Sequence, residues 1–328
     1  MAERTGIKIL GTGSSVPDFQ VHNSDFTKVI ETSDEWITER TGIKTRRFVT
    51  EGESSLTLCE TAANKAIEEA GINKEDIGLV IVGTCTADYI TPSMACLLQG
   101  SLGLPEKILA FDLNAACSGF VYSLNTAFLL LGSMPGKYAL VVGVEVLSRV
   151  LDYTDRGSAI LFGDGAGACI ISLSGGNPFV FDSGSIGGCE SLNIPMTYGV
   201  ANPFTGKAAD THMQVVNING NEVYRFVQDA FPKSASVVFK KAGIDPDHID
   251  YYVCHQANLR ILLASAKKLK VPFEKFYVNI DKYGNTSAAS VAIALDELNK
   301  SGVLKRGHKL MLAGFGGGLT YGTAYMIW

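Results

Sequence analysis

Positive charge is in deficit along this chain: 28 lysines and arginines face 33 aspartates and glutamates, a formal net charge of -5 at pH 7. That balance gives no general attraction to nucleic acid or to an anionic membrane, and leaves open only a local basic patch. The seven cysteines, at 59, 85, 96, 117, 169, 189 and 254, include no C-x-x-C pair and are odd in number. This argues against a zinc site or any other metal centre and against a secreted disulfide framework. Long apolar runs are missing; residues 138–144 form a typical one, too short to span a bilayer. Met1-Ala2-Glu3-Arg4-Thr5-Gly6 leads into a strand-like Ile7-Lys8-Ile9-Leu10 with no signal-peptide core, so a cytoplasmic, reducing setting is expected. Gly11-Thr12-Gly13-Ser14-Ser15-Val16 lacks the third glycine of a dinucleotide fingerprint, and no G-x-S-x-G elbow occurs.

What is present is a globular composition, 46% hydrophobic and 19% charged over 328 residues, with 35 glycines. The chain also repeats itself. Ala70-Gly71-Ile72 ends a helix-like stretch and leads to the apolar strand 77–82; Ala242-Gly243-Ile244 does the same 172 positions later, ahead of 249–254. Glycine suits the left-handed residue that follows a helix. Leu140-Val141-Val142-Gly143 matches Leu310-Met311-Leu312-Ala313 at an offset of 170. Each copy then reaches a glycine-rich turn, Phe162-Gly163-Asp164-Gly165 and Phe315-Gly316-Gly317-Gly318, and an apolar strand. Strands alternate with helices, twice, and each copy closes on a strand pair. This predicts α/β layers with mostly parallel central strands, built from two pseudo-symmetric halves, 1–174 and 175–328, in one compact body.

The strand 108–113 stops at Asn114-Ala115-Ala116-Cys117-Ser118-Gly119-Phe120, and a helix-like segment, 120–131, begins. Cys117 therefore lies near a helix N-terminus, where unpaired N–H groups and the helix dipole favour a negative sulfur. Its small neighbours let a substrate carbonyl approach, so Cys117 is the candidate nucleophile of an acyl-transfer enzyme; a buried core cysteine is the plain alternative. The duplication brings further groups to the same place. An offset of 172 carries Gly83 to His255, and one of 168 carries Cys117 to Asn285 in Gly284-Asn285-Thr286-Ser287-Ala288-Ala289-Ser290. All three follow strands, and ligands of open α/β sheets sit beyond strand carboxyl ends.

These residues carry a resemblance. The Cys117 motif, His255-Gln256-Ala257-Asn258-Leu259-Arg260 and the Asn285 motif together resemble β-ketoacyl-acyl-carrier-protein synthase III. So do Asp34-Glu35-Trp36-Ile37, Arg40-Thr41-Gly42-Ile43 and Phe315-Gly316-Gly317-Gly318. The likeness covers essentially the whole chain. It implies the thiolase fold, five layers of α-β-α-β-α, and a homodimer whose central sheets join. It implies no tightly bound cofactor, with acyl-CoA and malonyl-acyl carrier protein as substrates of a condensation that starts fatty acid synthesis. Cys117 would take an acyl group from a short acyl-CoA, and a decarboxylated malonyl unit would then attack it. The sulfur is expected to be partly thiolate near neutral pH. His255 Nε2 and the Asn285 amide would steady the enolate oxygen, and the N–H groups of Cys117 and Gly317 would hold the tetrahedral oxyanion.

The same resemblance implies that Trp36 lies against the CoA adenine with Arg156 on its other side, and that Thr32, Arg40, Gly220, Asn258 and Phe315 belong to the CoA and substrate site. It places Thr91 in the partner's acyl pocket. Arg260, Lys267 and Lys268 form a cationic patch for the acidic carrier, or else a solvated helix face. Two rivals share the sequence features. One is an acyltransferase or condensing enzyme of secondary metabolism on the same fold; the other is an inactive protein that binds acyl groups or CoA. A thiolase would need a second catalytic cysteine, which the Phe315-Gly316-Gly317 turn lacks.

Overall fold

The structure, a computed structural model, describes residues 6–196, 201, 204 and 214–328. Met1–Thr5, read above as lacking a signal-peptide core, lie outside the described residues. The elements that build the frame are β1 (Gly6–Ser15), α1 (Asp34–Thr41), α2 (Ser55–Ala70), β2 (Ile77–Gly83), α3 (Met94–Leu102), β3 (Leu109–Leu113), α4 (Gly119–Leu131), β4 (Tyr138–Glu145) and β5 (Gly165–Ser174). They are followed by β6 (Phe179–Ser185), α5 (Gly220–Ala242), β7 (Tyr251–Cys254), α6 (Leu259–Leu269), α7 (Ala289–Lys300), β8 (Lys309–Gly316) and β9 (Thr320–Ile327).

Two sheets result. One has the order β1-β5-β4-β2-β3 and the other β6-β9-β8-β7, so four strands follow the same path in each. Only β2 with β3, β2 with β4, and β7 with β8 pair in parallel; the other four ladders are antiparallel. Four strands of the first sheet and three of the second therefore point the same way, as expected of mostly parallel central strands, and only the closing strands β5 and β9 run against them. Parallel pairing needs a helical crossover, and each half ends instead by folding its last strand straight back, as β8 does into β9.

Side-chain alternation explains the layers. Along β2, Leu79 and Ile81 face the central core while Val80 and Val82 face α2 and α3. Along β8, Leu310 and Leu312 face the centre while Met311 and Ala313 face α5 and α6. Strands buried on both faces read as unbroken apolar runs, as these do. Helices α4 and α7 lie between the sheets, and Val291, Ala294 and Leu295 of α7 are wholly enclosed. The sequence accordingly shows apolar and small residues over most of α4 and over the first two turns of α7. Close approach at their ends demands glycine at Gly83, where a Cβ would stand 2.8 Å from the Gly119 carbonyl carbon. The start of α4 is thereby pressed onto the carboxyl end of β2.

Candidate active site

Between β3 and α4 the chain makes one tight turn, Ala116–Ser118, with Ala116 at φ +44°. A non-glycine residue in that region is strained, which marks the turn as over-determined by its surroundings. The Thr320 hydroxyl stands 3.1 Å from the Ala115 carbonyl and 2.9 Å from that of Gly317, tying this turn to the one between β8 and β9. Cys117 is buried, 6% exposed, and nests against Gly316, where an added Cβ would lie 2.7 Å from Sγ.

The sulfur experiences opposed influences. Burial pushes the thiol up to about 11, helped by the nearby Glu145 carboxyl, against hydrogen bonds from the Ser287 hydroxyl and the N–H groups of Gly317 and Cys117. The partly ionised sulfur expected from the sequence is corrected to a neutral thiol at pH 7, because desolvation outweighs these donors. The two N–H groups aimed at the sulfur are nevertheless those the resemblance picked for the oxyanion.

His255 follows β7 directly and is 1% exposed; its N–H donates to the Ala313 carbonyl at 2.7 Å. Burial pulls its imidazole down to about 3, so it is neutral over the working range. Nδ1 lies 2.6 Å from the Ser290 Oγ, which is also 2.8 Å from the Ser287 carbonyl. The one hydroxyl proton has two acceptors; when it goes to Nδ1, Nε2 carries the ring hydrogen. Asn285 is 5% exposed, and its Oδ1 accepts from the Ser287 N–H at 2.9 Å, which leaves Nδ2 as the donor on offer. Ser287, at φ +45°, then donates its hydroxyl toward Cys117 Sγ at 3.3 Å. Segment 285–290 thus carries Asn285 and contacts both Cys117 and His255.

Sequence reasoning passed over Ser287, Ser290 and Glu145. The offset of 170 shared by the β4 and β8 motifs pairs Cys117 with Ser287, where the offset of 168 picked Asn285. Glu145, a lone charge ending the apolar run of β4, was the other available signal. A cavity of about 430 Å³ reaches Cys117, Ser287 and Gly317, with Leu147, Phe162 and Leu192 among its apolar walls. His255 and Asn285 do not line it.

None of the other predicted residues lines this cavity. Trp36 on α1 has the Arg40 guanidinium 4.7 Å from its ring centroid and that of Arg156 at 4.6 Å. Arg156 also donates to the Glu31 carbonyl at 3.1 Å. The Thr32 hydroxyl oxygen is buried without a hydrogen-bond partner among the described residues. Gly220 opens α5 with open space where a Cβ would go, so no protein contact requires glycine there. Asn258 caps α6 through the Arg260 N–H at 2.8 Å and donates to the Arg40 carbonyl at 3.1 Å. Phe315 is 2% exposed and meets the His255 ring edge-on at 5.5 Å rather than lining the cavity. Arg260 is tied to the Glu39 carbonyl at 2.9 Å and Lys268 to that of Gln228 at 2.6 Å, while Lys267 is exposed on the same helix. Thr91 is exposed beside Ile90, itself 84% exposed. Among the described residues no cluster of ligating side chains could hold a metal ion, and no helix is long and apolar enough to cross a membrane.

The family described as 3-oxoacyl-[acyl-carrier-protein] synthase III matches residues 111–185, and the C-terminal description of the same family matches 239–328. A β-ketoacyl-[acyl-carrier-protein] synthase III of Clostridium acetobutylicum is 45% identical over 324 residues, 98% of either chain. The crystal structure of a 3-oxoacyl-[acyl-carrier-protein] synthase III from Aquifex aeolicus superposes with a TM-score of 0.89 at 39% identity, covering 98% of this chain and 100% of that one. The priming β-ketosynthase of the R1128 polyketide pathway gives 0.90 at 33% identity, covering 100% and 98%.

Proposed function

The chain belongs to the 3-oxoacyl-[acyl-carrier-protein] synthase III family, and from that membership we propose how its own residues carry out the reaction. It is a condensing acyltransferase of the thiolase fold that initiates fatty acid synthesis. The Cys117 sulfur attacks the thioester carbonyl of a short acyl-CoA; the C–S bond to CoA breaks and CoA leaves. The N–H groups of Cys117 and Gly317 receive the tetrahedral oxyanion, work for which two aimed donors contribute orders of magnitude in rate. A malonyl group on acyl carrier protein then loses CO2. Its enolate oxygen is held by His255 Nε2–H and Asn285 Nδ2, and its carbon attacks the acyl-cysteine to give 3-oxoacyl-acyl carrier protein. Neutrality of His255 suits it to donate a hydrogen bond rather than to titrate. The observation that carries this reading is the sulfur at a cavity end, with two N–H groups and Ser287 directed at it.

The CoA nucleotide belongs on Trp36. Arg156 sits too close to that ring for a purine to fit between them, so its side chain swings aside and covers the adenine. The unpartnered Thr32 hydroxyl and the open space at Gly220 suit the same ligand, with Arg40 and Asn258 holding the wall behind Trp36. Arg260, Lys267 and Lys268 on α6 serve the acidic carrier. The two halves are 1–174 and 175–328, a division supported by each sheet drawing its strands from one of them. A cytoplasmic homodimer completes the reading, supported by the outer edge of β3, exposed Leu109 and the exposed Ile90–Thr91 corner; Thr91 then reaches the partner's acyl pocket.

The test is direct. Acyl-CoA should consume one free thiol per chain and add the acyl mass to the peptide holding Cys117, and Cys117→Ala should abolish this. His255→Ala and Asn285→Ala should acylate but lose malonyl decarboxylation. Full condensation by both of these variants would overturn the roles, and no acylation of the native protein would leave a protein that only binds CoA.

A further inference from the structure

Glu145 is fully buried at the end of β4, beside the nucleophile, and the path above does not use it. Among the described residues no ion pair reaches it. Its oxygens accept from the Cys85 N–H at 3.2 Å, from the Thr84 hydroxyl at 3.4 Å and from the Thr86 hydroxyl, and the Cys85 thiol lies 3.3 Å from Oε1. The Ser287 hydroxyl stands 3.4 Å from Oε1 and 3.3 Å from Cys117 Sγ. One hydroxyl therefore touches both the nucleophile and a buried carboxyl. His255 Nδ1 is turned to Ser290 Oγ at 2.6 Å, and no hydrogen bond joins the imidazole to the sulfur.

We infer that Glu145, acting through the Ser287 hydroxyl, receives the Cys117 proton during acyl loading and returns it after condensation. The inference rests on the acyl-transfer reading above. In loading, the thiol proton passes to Ser287 Oγ as the Ser287 proton passes to the carboxylate. The S–C bond to the acyl group forms, the C–S bond to CoA breaks, and CoA thiolate takes a proton from water. In condensation, CO2 leaves and the new C–C bond expels Cys117 as thiolate. The carboxyl returns its proton through Ser287 to that sulfur, and the enzyme is restored. One proton from water is consumed per turnover, by CoA.

The chemistry of the group agrees with the geometry. Burial pushes Glu145 up to about 7, so it both takes and gives a proton near neutrality. The groups facing it are the thiols of Cys85 and Cys117 and the three hydroxyls; Cys85 is pushed well up by burial and stays neutral. Arg149, the nearest cation in sequence, pairs with Asp88 instead.

The experiment follows CoA release in a single turnover with acyl-CoA between pH 5.5 and 9, roughly two units about neutrality, where general-base assistance contributes about 10²–10⁴-fold. The native rate should rise through an inflection near 7, the value burial sets for Glu145. In Glu145→Gln and in Ser287→Gly the inflection should vanish and acylation at pH 7 fall about a hundredfold. The first carbon–carbon bond formed from chemically acylated enzyme precedes the return of the proton, so its rate should fall far less than that of acylation, a split that a merely structural role would not give. Glycine at 287 keeps the positive φ, so that variant decides if Glu145→Gln fails to fold. An unchanged pH profile in a folded variant overturns the inference while leaving Cys117 as the nucleophile; failure of native enzyme to acylate overturns the broader reading instead.

Discussion

Replacing Gly316 by alanine adds one methyl group to the carboxyl end of β8, at the point where Cys117 rests. The new Cβ would stand 2.7 Å from both Cβ and Sγ of Cys117, whereas ordinary contact begins at 3.4 Å. One of the two backbones must yield by about 0.7 Å, the difference between those distances. Gly316 is not among the positive-φ glycines, so alanine brings no backbone strain and the effect is steric alone. Overpacking of a dense core should cost about 1–3 kcal/mol in stability. Displacing a reacting atom by nearly an ångström costs about ten- to a hundredfold in rate. The assay is the burst of CoA released on mixing with acyl-CoA, read beside the melting temperature. As a control, Gly100→Ala on α3, where a Cβ meets nothing, should leave the burst unchanged and raise stability by up to about 1 kcal/mol. A Gly316→Ala enzyme that acylates at the native rate would refute the claim that this contact sets the sulfur's place.

Ser290→Ala removes the hydroxyl that can donate to His255 Nδ1, so malonyl decarboxylation should fall about ten- to a hundredfold while the CoA burst is spared, as measured by CO2 release from malonyl-carrier. His255 is lowered from 6.5 to about 3, so the unfolded chain binds more protons between those pH values; stability present above 6.5 should be lost toward pH 3, by on the order of 5 kcal/mol, and denaturant titrations of His255→Gln should show less of that loss. Glu145 is raised from 4.5 to about 7, which has the opposite sign: stability present below 4.5 is lost as pH climbs through 7, by on the order of 3 kcal/mol, and Glu145→Gln should flatten that arm of the curve.

Much of the frame was legible because it is written as pattern. The strands of β2, β4 and β8 stand as unbroken apolar runs because both faces are covered, and the repeated Ala-Gly-Ile turn marks the helix ends at Gly71 and Gly243, both left-handed. The motifs around Cys117, His255 and Asn285 were legible, and the structure brings Cys117 and His255 against the segment that carries Asn285. Strand direction was legible as well: alternation with helices marks the parallel strands, and the glycine-rich turns precede β5 and β9, the two strands that run the other way. Ionisation of the sulfur was misjudged because a helix start is visible in sequence whereas enclosure is not. Ser287 and Glu145 escaped because their importance lies in a contact between halves, 142 residues apart in sequence, and Ser290 because its partner His255 stands 35 residues away on another element.

The neutral thiol and the neutral imidazole present one problem together. A site that lowered the Cys117 pKa with a permanent cation would also hold a charge beside the acyl-cysteine, where the malonyl carboxylate must shed its own charge as CO2. Among the described residues no cation lines the pocket, which favours that loss, since decarboxylation disperses negative charge and proceeds best where the carboxylate is poorly solvated. The cost is a sulfur that does not ionise by itself. A relayed carboxyl meets that cost without leaving a charge on the sulfur between turns, because the proton it accepts in the first half-reaction neutralises it for the second. In the path proposed above, Cys117, Ser287 and Glu145 serve the first half-reaction and His255, Ser290 and Asn285 the second, and segment 285–290 contacts both sets.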